Sequence, residues 1–146
     1  MAVFLGKAPL TSDVGLLLEI AVTVALISGR FAFARKGRVR AHGFALTVAV
    51  VLHCISVPLI MIPSFLISLN VLLTNLLSPV IIITWIHMPI GLAVLFLAIY
   101  LVVDWRLREV SATCYKRSGL MRSLWLLWIF SLILGYLLYV SIAFFT

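Results

Sequence analysis

The sequence predicts an all-α integral membrane protein, a four-helix up-and-down bundle with both termini outside. Three observations predict it. Of 146 residues, 65% are hydrophobic and 10% charged, against roughly 45–50% and about 25% in an ordinary soluble domain. A soluble chain of this length has no core large enough to hide that apolar surface, whereas a lipid-facing one can leave it outside. Four apolar runs approach the roughly 20 residues that carry a helix across about 30 Å of hydrocarbon. The basic residues gather beside two of the three connections between those runs.

The four runs are residues 14–33, 41–62, 80–103 and 124–145, within a single transmembrane domain spanning 1–146. In lipid each backbone polar group needs a partner within its own segment, so the runs are helices; barrel strands would be shorter and alternate in polarity. Arg30, Arg35, Lys36, Arg38 and Arg40 flank the first connection, and Arg106, Arg108, Lys116, Arg117 and Arg122 the third; Lys7 is the remaining base. The positive-inside rule places those two connections, loops 34–41 and 104–123, in the cytoplasm. The cell (plasma) membrane is therefore the expected location, with the chain passing through it several times. A short first connection makes helices one and two antiparallel neighbours.

Between the second and third runs lies an uncharged stretch from Pro63 to Pro79. It is too short to span. Ser68, Asn70, Thr74 and Asn75 point to a short interfacial segment, with Pro63 as a break or kink; a simple extension of the second helix is the alternative. Residues 116–122 read as a solvated loop leading into the last helix. The N-terminus lacks the basic flank, short apolar run and small-residue site of a cleavable signal. Cys54 lies mid-helix and Cys114 in a polar loop, so no disulfide between them is expected.

The net charge of +7 belongs to membrane topology here. With no Gly-rich phosphate loop, no zinc-type cysteine spacing and no basic surface interleaved with aromatics, no nucleic-acid partner is expected; the expected partners are the lipid bilayer and other membrane protein subunits. No catalytic set emerges, so the chain is not expected to be an enzyme by itself.

Ionisable groups inside a span are costly and are functional candidates by default. They are Glu19 in helix one, His53 in helix two and His87 in helix three, with His42 at the inner end of helix two. At about 1.5 Å per residue, Glu19 lies roughly 9 Å, His53 roughly 14 Å and His87 roughly 12 Å from the outer end, so the three share a layer. Tyr136 and Tyr139 reach the same layer or slightly above it. Ser56 and Ala49 share a helix face with His53, and Thr84, Gly91 and Ala98 one with His87. Small residues allow helices to approach closely and also leave room for a flat cofactor.

Two imidazoles at matched depth on antiparallel helices suit the axial positions of a haem b. A bare transition metal ion held by His53, His87 and Glu19 is the second chemistry. The third is no cofactor, the histidines bonding across helices and Glu19 being a packed carboxyl. His42 is expected at headgroup level or in packing, since helix three carries no second histidine to pair with it. Ser131 and Gly135 read as a small-residue helix contact, and Trp85, Trp105, Trp125 and Trp128 as interface or packing aromatics.

The pattern Arg40-Ala41-His42-Gly43 with His53 eleven later, then Ile86-His87-Met88-Pro89-Ile90-Gly91, then Met121-Arg122-Ser123-Leu124-Trp125 resembles a known family. It is that of the small four-helix membrane proteins that includes the haem–copper oxidase assembly protein CtaM (YozB). The resemblance covers roughly residues 29–142 and rests on histidine placement and helix layout. It implies a part for His42, His53 and His87 in haem or metal handling, in electron transfer or terminal-oxidase assembly in a respiratory membrane. The competing expectation is a cofactor-free accessory subunit of a larger membrane complex.

Overall fold

The computed structural model describes residues 10–36, 38–74, 76–105 and 116–145, with the side chains of 34–36, 144 and 145 outside the description. Lys7, Asn75, Arg106, Arg108 and Cys114 lie outside it too. Every regular element described is helical. They are α1 (Leu10–Lys36), α2 (Val39–Ser56), a π-helical turn (Val57–Met61), α3 (Ile62–Thr74), α4 (Pro79–Trp105) and α5 (Ser118–Phe145). Four stretches, Leu10–Phe33, Val39–Thr74, Pro79–Trp105 and Ser118–Ala143, are long and apolar enough to cross a membrane.

Three boundaries differ from the sequence expectation, each for a physical reason. α1 runs to Lys36 and α5 begins at Ser118, so part of the expected inner loop, from Ser118 to Arg122, is helix. Arg and Lys carry long apolar stems and can leave their charge at the surface, so a base does not end a helix at the membrane edge.

The third difference is the stretch after Pro63. It is not separated from the second helix: α2, the π turn and α3 form one path from Val39 to Thr74. Pro58 and Pro63, the second residues of the π turn and of α3, lie inside this path and each removes one N–H from its ladder. The wider π turn re-pairs the backbone, with the Ile62 N–H reaching the Val57 carbonyl, as such turns do where a regular ladder is interrupted.

The helices touch in an antiparallel sense. An added Cβ at Gly29 would stand 3.1 Å from Ala45, and one at Gly15 would stand 3.4 Å from Ile60, setting α1 against α2 and the π turn. Likewise Gly91 faces Ser131 and Gly135 faces His87, setting α4 against α5. Gly43 of α2 is covered by the Trp105 indole of α4, which occupies the space a Cβ would need. The buried centre holds Val22, Leu26, Ala49, Val50, Val94, Ala98, Leu124, Trp128 and Leu132, drawn from α1, α2, α4 and α5. The opposite faces carry exposed Leu, Ile, Val and Phe, the inverse of a soluble surface and what lipid requires.

Candidate functional site

The α2 stripe of buried residues runs Gly43, Ala49, Val50, His53 and Ser56. Spacings of three, four and their multiples keep these on one helix face. His53 is therefore turned inward and is 3% exposed. Its Nδ1 lies 3.7 Å from Oε1 of Glu19 on α1. On its other side is Trp128 of α5, with ring centroids 5.6 Å apart and planes tilted by 50°. Ser56, three residues on, is fully buried.

His87 enters from α4. Its ring lies over Gly135, where an added Cβ would come within 3.3 Å of Cε1, and it approaches the Ser131 carbonyl. The small pair Ser131 and Gly135 thus forms the seat of an imidazole as well as a helix contact. His87 is within electrostatic reach of both Glu19 and His53. The layer expected from depth alone is thereby assembled from all four spans.

What marks this layer is unmet hydrogen-bonding capacity. Both ring nitrogens of His53, Nδ1 of His87, Oε1 of Glu19, Oγ of Ser56 and Nε1 of Trp128 are buried without a hydrogen-bond partner. Each such group costs about 1–3 kcal/mol, and native interiors leave few of them. A cluster mixing donors and acceptors at one depth has the character of a binding site.

Two further polar contacts border the layer along α1 and α5. The Tyr139 hydroxyl donates to Oδ1 of Asp13 at 2.7 Å, and Asp13 is 3% exposed. The Thr23 and Tyr136 hydroxyls stand 2.8 Å apart, with Thr23 also donating to the Glu19 carbonyl at 2.7 Å. Asp13 was not among the residues singled out from sequence. Its place as an acidic residue in the first turn of α1 was the available signal.

His42 is not brought to this layer. Its Nδ1 donates to the Gly29 carbonyl at 3.0 Å and its ring tilts against Phe33 at 5.3 Å. Eleven residues place it roughly 16 Å from His53 along the helix. Cys54 is a free, half-buried thiol.

The fit of a haem or metal can be judged on these groups. Unpartnered imidazole nitrogens are the donors that haem iron or a borderline metal ion takes, so the donor chemistry fits. Among the described residues, no three His, Cys, Asp or Glu side chains form a group that could hold a metal ion. If a haem or metal were held here, His53 and His87 would be its ligands, with Glu19, 3.7 Å from Nδ1 of His53, either orienting that ring or serving as a third ligand. Trp128 beside His53 and Gly135 beside His87 bound the space around the two rings.

Compared with protein-family models, with curated proteins and with solved structures, the chain matches none.

Proposed function

We propose that this chain is a haem-binding or haem/metal-handling protein of a respiratory membrane, acting in electron transfer or in assembly of a terminal oxidase. The observation that carries the reading is the pair of buried imidazoles, His53 and His87, whose ring nitrogens include three without a hydrogen-bond partner. The resemblance of the histidine pattern to the CtaM-containing family supports the same direction. When bound, a haem iron or metal ion would supply one-electron chemistry or a transferable ion.

The chain's own residues do the rest. His53 and His87 present imidazole nitrogen donors, Glu19 fixes the His53 ring, and Trp128 and Gly135 exclude water from the layer. In this reading the chain is an up-and-down bundle of the plasma membrane with both termini outside, and its basic loops, 34–41 and 104–123, face the cytoplasm. The test is a reduced-minus-oxidised absorption spectrum of natively expressed, purified protein, with metal analysis of the same sample. Haem bands or stoichiometric metal support the reading; a blank in both contradicts it.

A cofactor-free accessory subunit is the second reading. One observation favours it: the hairpin end formed by α3 and the start of α4 is apolar and uncovered, with Ile67 84% and Leu77 92% exposed. Such a surface suits packing against another membrane subunit, and co-purification of a stoichiometric partner with a cofactor-free chain would decide for it.

A further inference from the structure

At the basic end of the molecule the seam between α1 and α5 carries a patch that neither the fold nor the histidine layer uses. The Arg30 guanidinium lies 6.0 Å from the centroid of the Trp125 ring, joining α1 to α5 by a cation–π contact. Arg122 stands three residues before Trp125, one turn nearer the helix start, so the two share a face of α5. Arg30 and Arg122 are both exposed, and Trp125 is half-buried. Nε1 of Trp125 is a buried donor without a partner.

No acidic side chain described at this end is free to neutralise the two arginines. Asp13 and Glu19 lie toward the opposite end of α1, and Asp104 is paired with Arg117 at 3.4 Å. Arg117 is further occupied by the Tyr100 hydroxyl at 2.9 Å. The seam is also amphipathic along the membrane normal. One turn deeper than Arg30 is Ile27, 44% exposed, and one turn deeper than Arg122 is Leu126, 58% exposed. Two guanidinium groups at the surface, above apolar side chains open to lipid, match an anionic headgroup above its acyl chains.

We propose that Arg30, Arg122 and Trp125 form a binding site for the headgroup of an anionic phospholipid on the α1–α5 seam. The guanidiniums bond the phosphate oxygens, a pairing for which their planar fork is suited. The Trp125 ring holds the Arg30 guanidinium on the seam, and the chains lie along Ile27 and Leu126. The site is independent of whether a haem or metal is handled in the histidine layer.

The test uses the full chain in mild detergent, titrated with phosphatidylglycerol or phosphatidylcholine and read by native mass spectrometry. Arg30→Gln and Arg122→Gln are each expected to lower the preference for phosphatidylglycerol about fivefold, the effect of about 1 kcal/mol per basic group near an anionic surface. Arg38→Gln removes the same charge from the same end but away from the seam, and is expected to change the preference far less. Circular dichroism establishes that each variant keeps its helices. Equal losses in all three variants would assign the preference to diffuse charge and overturn the proposal. So would the absence of any preference in the unaltered chain. Displacement of the lipid by inorganic phosphate at comparable concentration would reassign the site to a free anion and overturn it as well.

Discussion

Glu19 and His53 meet inside the membrane-spanning layer, Oε1 to Nδ1 at 3.7 Å, from two helices whose sequences place them at the same depth. Neither atom has a hydrogen-bond partner, so the pair is held by helix packing. This contact is the centre of the candidate site and the basis of the first prediction.

Glu19→Gln and His53→Asn are expected to be non-additive. Polar contacts between membrane helices are worth about 0.6 kcal/mol on average and up to about 1.7, so a double-mutant cycle on unfolding in mixed micelles should return a coupling of about 1 kcal/mol. Strict additivity would show that the two groups do not interact.

Among the described glycines, Gly43 has the least room for a side chain. The Trp105 indole fills the space a Cβ would occupy, so Gly43→Ala should cost about 1–3 kcal/mol, the usual range for overpacking. Adding Trp105→Leu should restore much of the loss. Failure of the second substitution to rescue the first, followed by thermal unfolding in detergent, would contradict the packing described.

Gly135 seats His87 closely: an added Cβ would stand 3.3 Å from Cε1, inside ordinary van der Waals contact, so the ring must give by a few tenths of an ångström. A side-chain ring can yield that far, so Gly135→Ala should be mild, within about 1 kcal/mol, whereas Gly135→Leu should cost about 1–3 kcal/mol and displace the ring. Equal effects of the two, in the same unfolding assay, would mean that the ring is not held there.

Tyr139→Phe removes a hydroxyl that donates to a buried carboxylate at 2.7 Å. Hydrogen bonds to charged groups are stronger than those between neutral ones, so a loss of stability is expected on unfolding. Tyr136→Phe, which breaks a bond between two neutral hydroxyls, should cost less. The reverse order would contradict the contacts.

The helical spans were legible because the apolar windows are long and because lipid leaves few alternatives for the backbone. The ends were read too short wherever a base stood at the membrane edge, as at Lys36 and Arg122, since composition does not show that the charge leaves by its side chain. At Pro63 the alternative expectation, an extension of the second helix, is the one that describes the path; a π turn five residues long precedes the proline, and no sequence pattern anticipates that turn.

Depth counting brought Glu19, His53 and His87 to one layer without knowledge of packing. It did not show what surrounds them. Trp128, read from sequence as an interface or packing aromatic, is 2% exposed and stands against His53. Its role depends on which face of α5 turns inward, and an α5 that is apolar on every side gives no periodic signal for that.

The most direct test of the central claim is the absorption spectrum and metal content of natively expressed protein, compared among the unaltered chain, His53→Ala, His87→Ala and His42→Ala. The account predicts haem bands or bound metal in the unaltered chain, their loss in the first two variants, and their retention in His42→Ala, whose ring nitrogen is already committed to the Gly29 carbonyl. Loss in His42→Ala alone, or no haem and no metal in the unaltered chain, would contradict it.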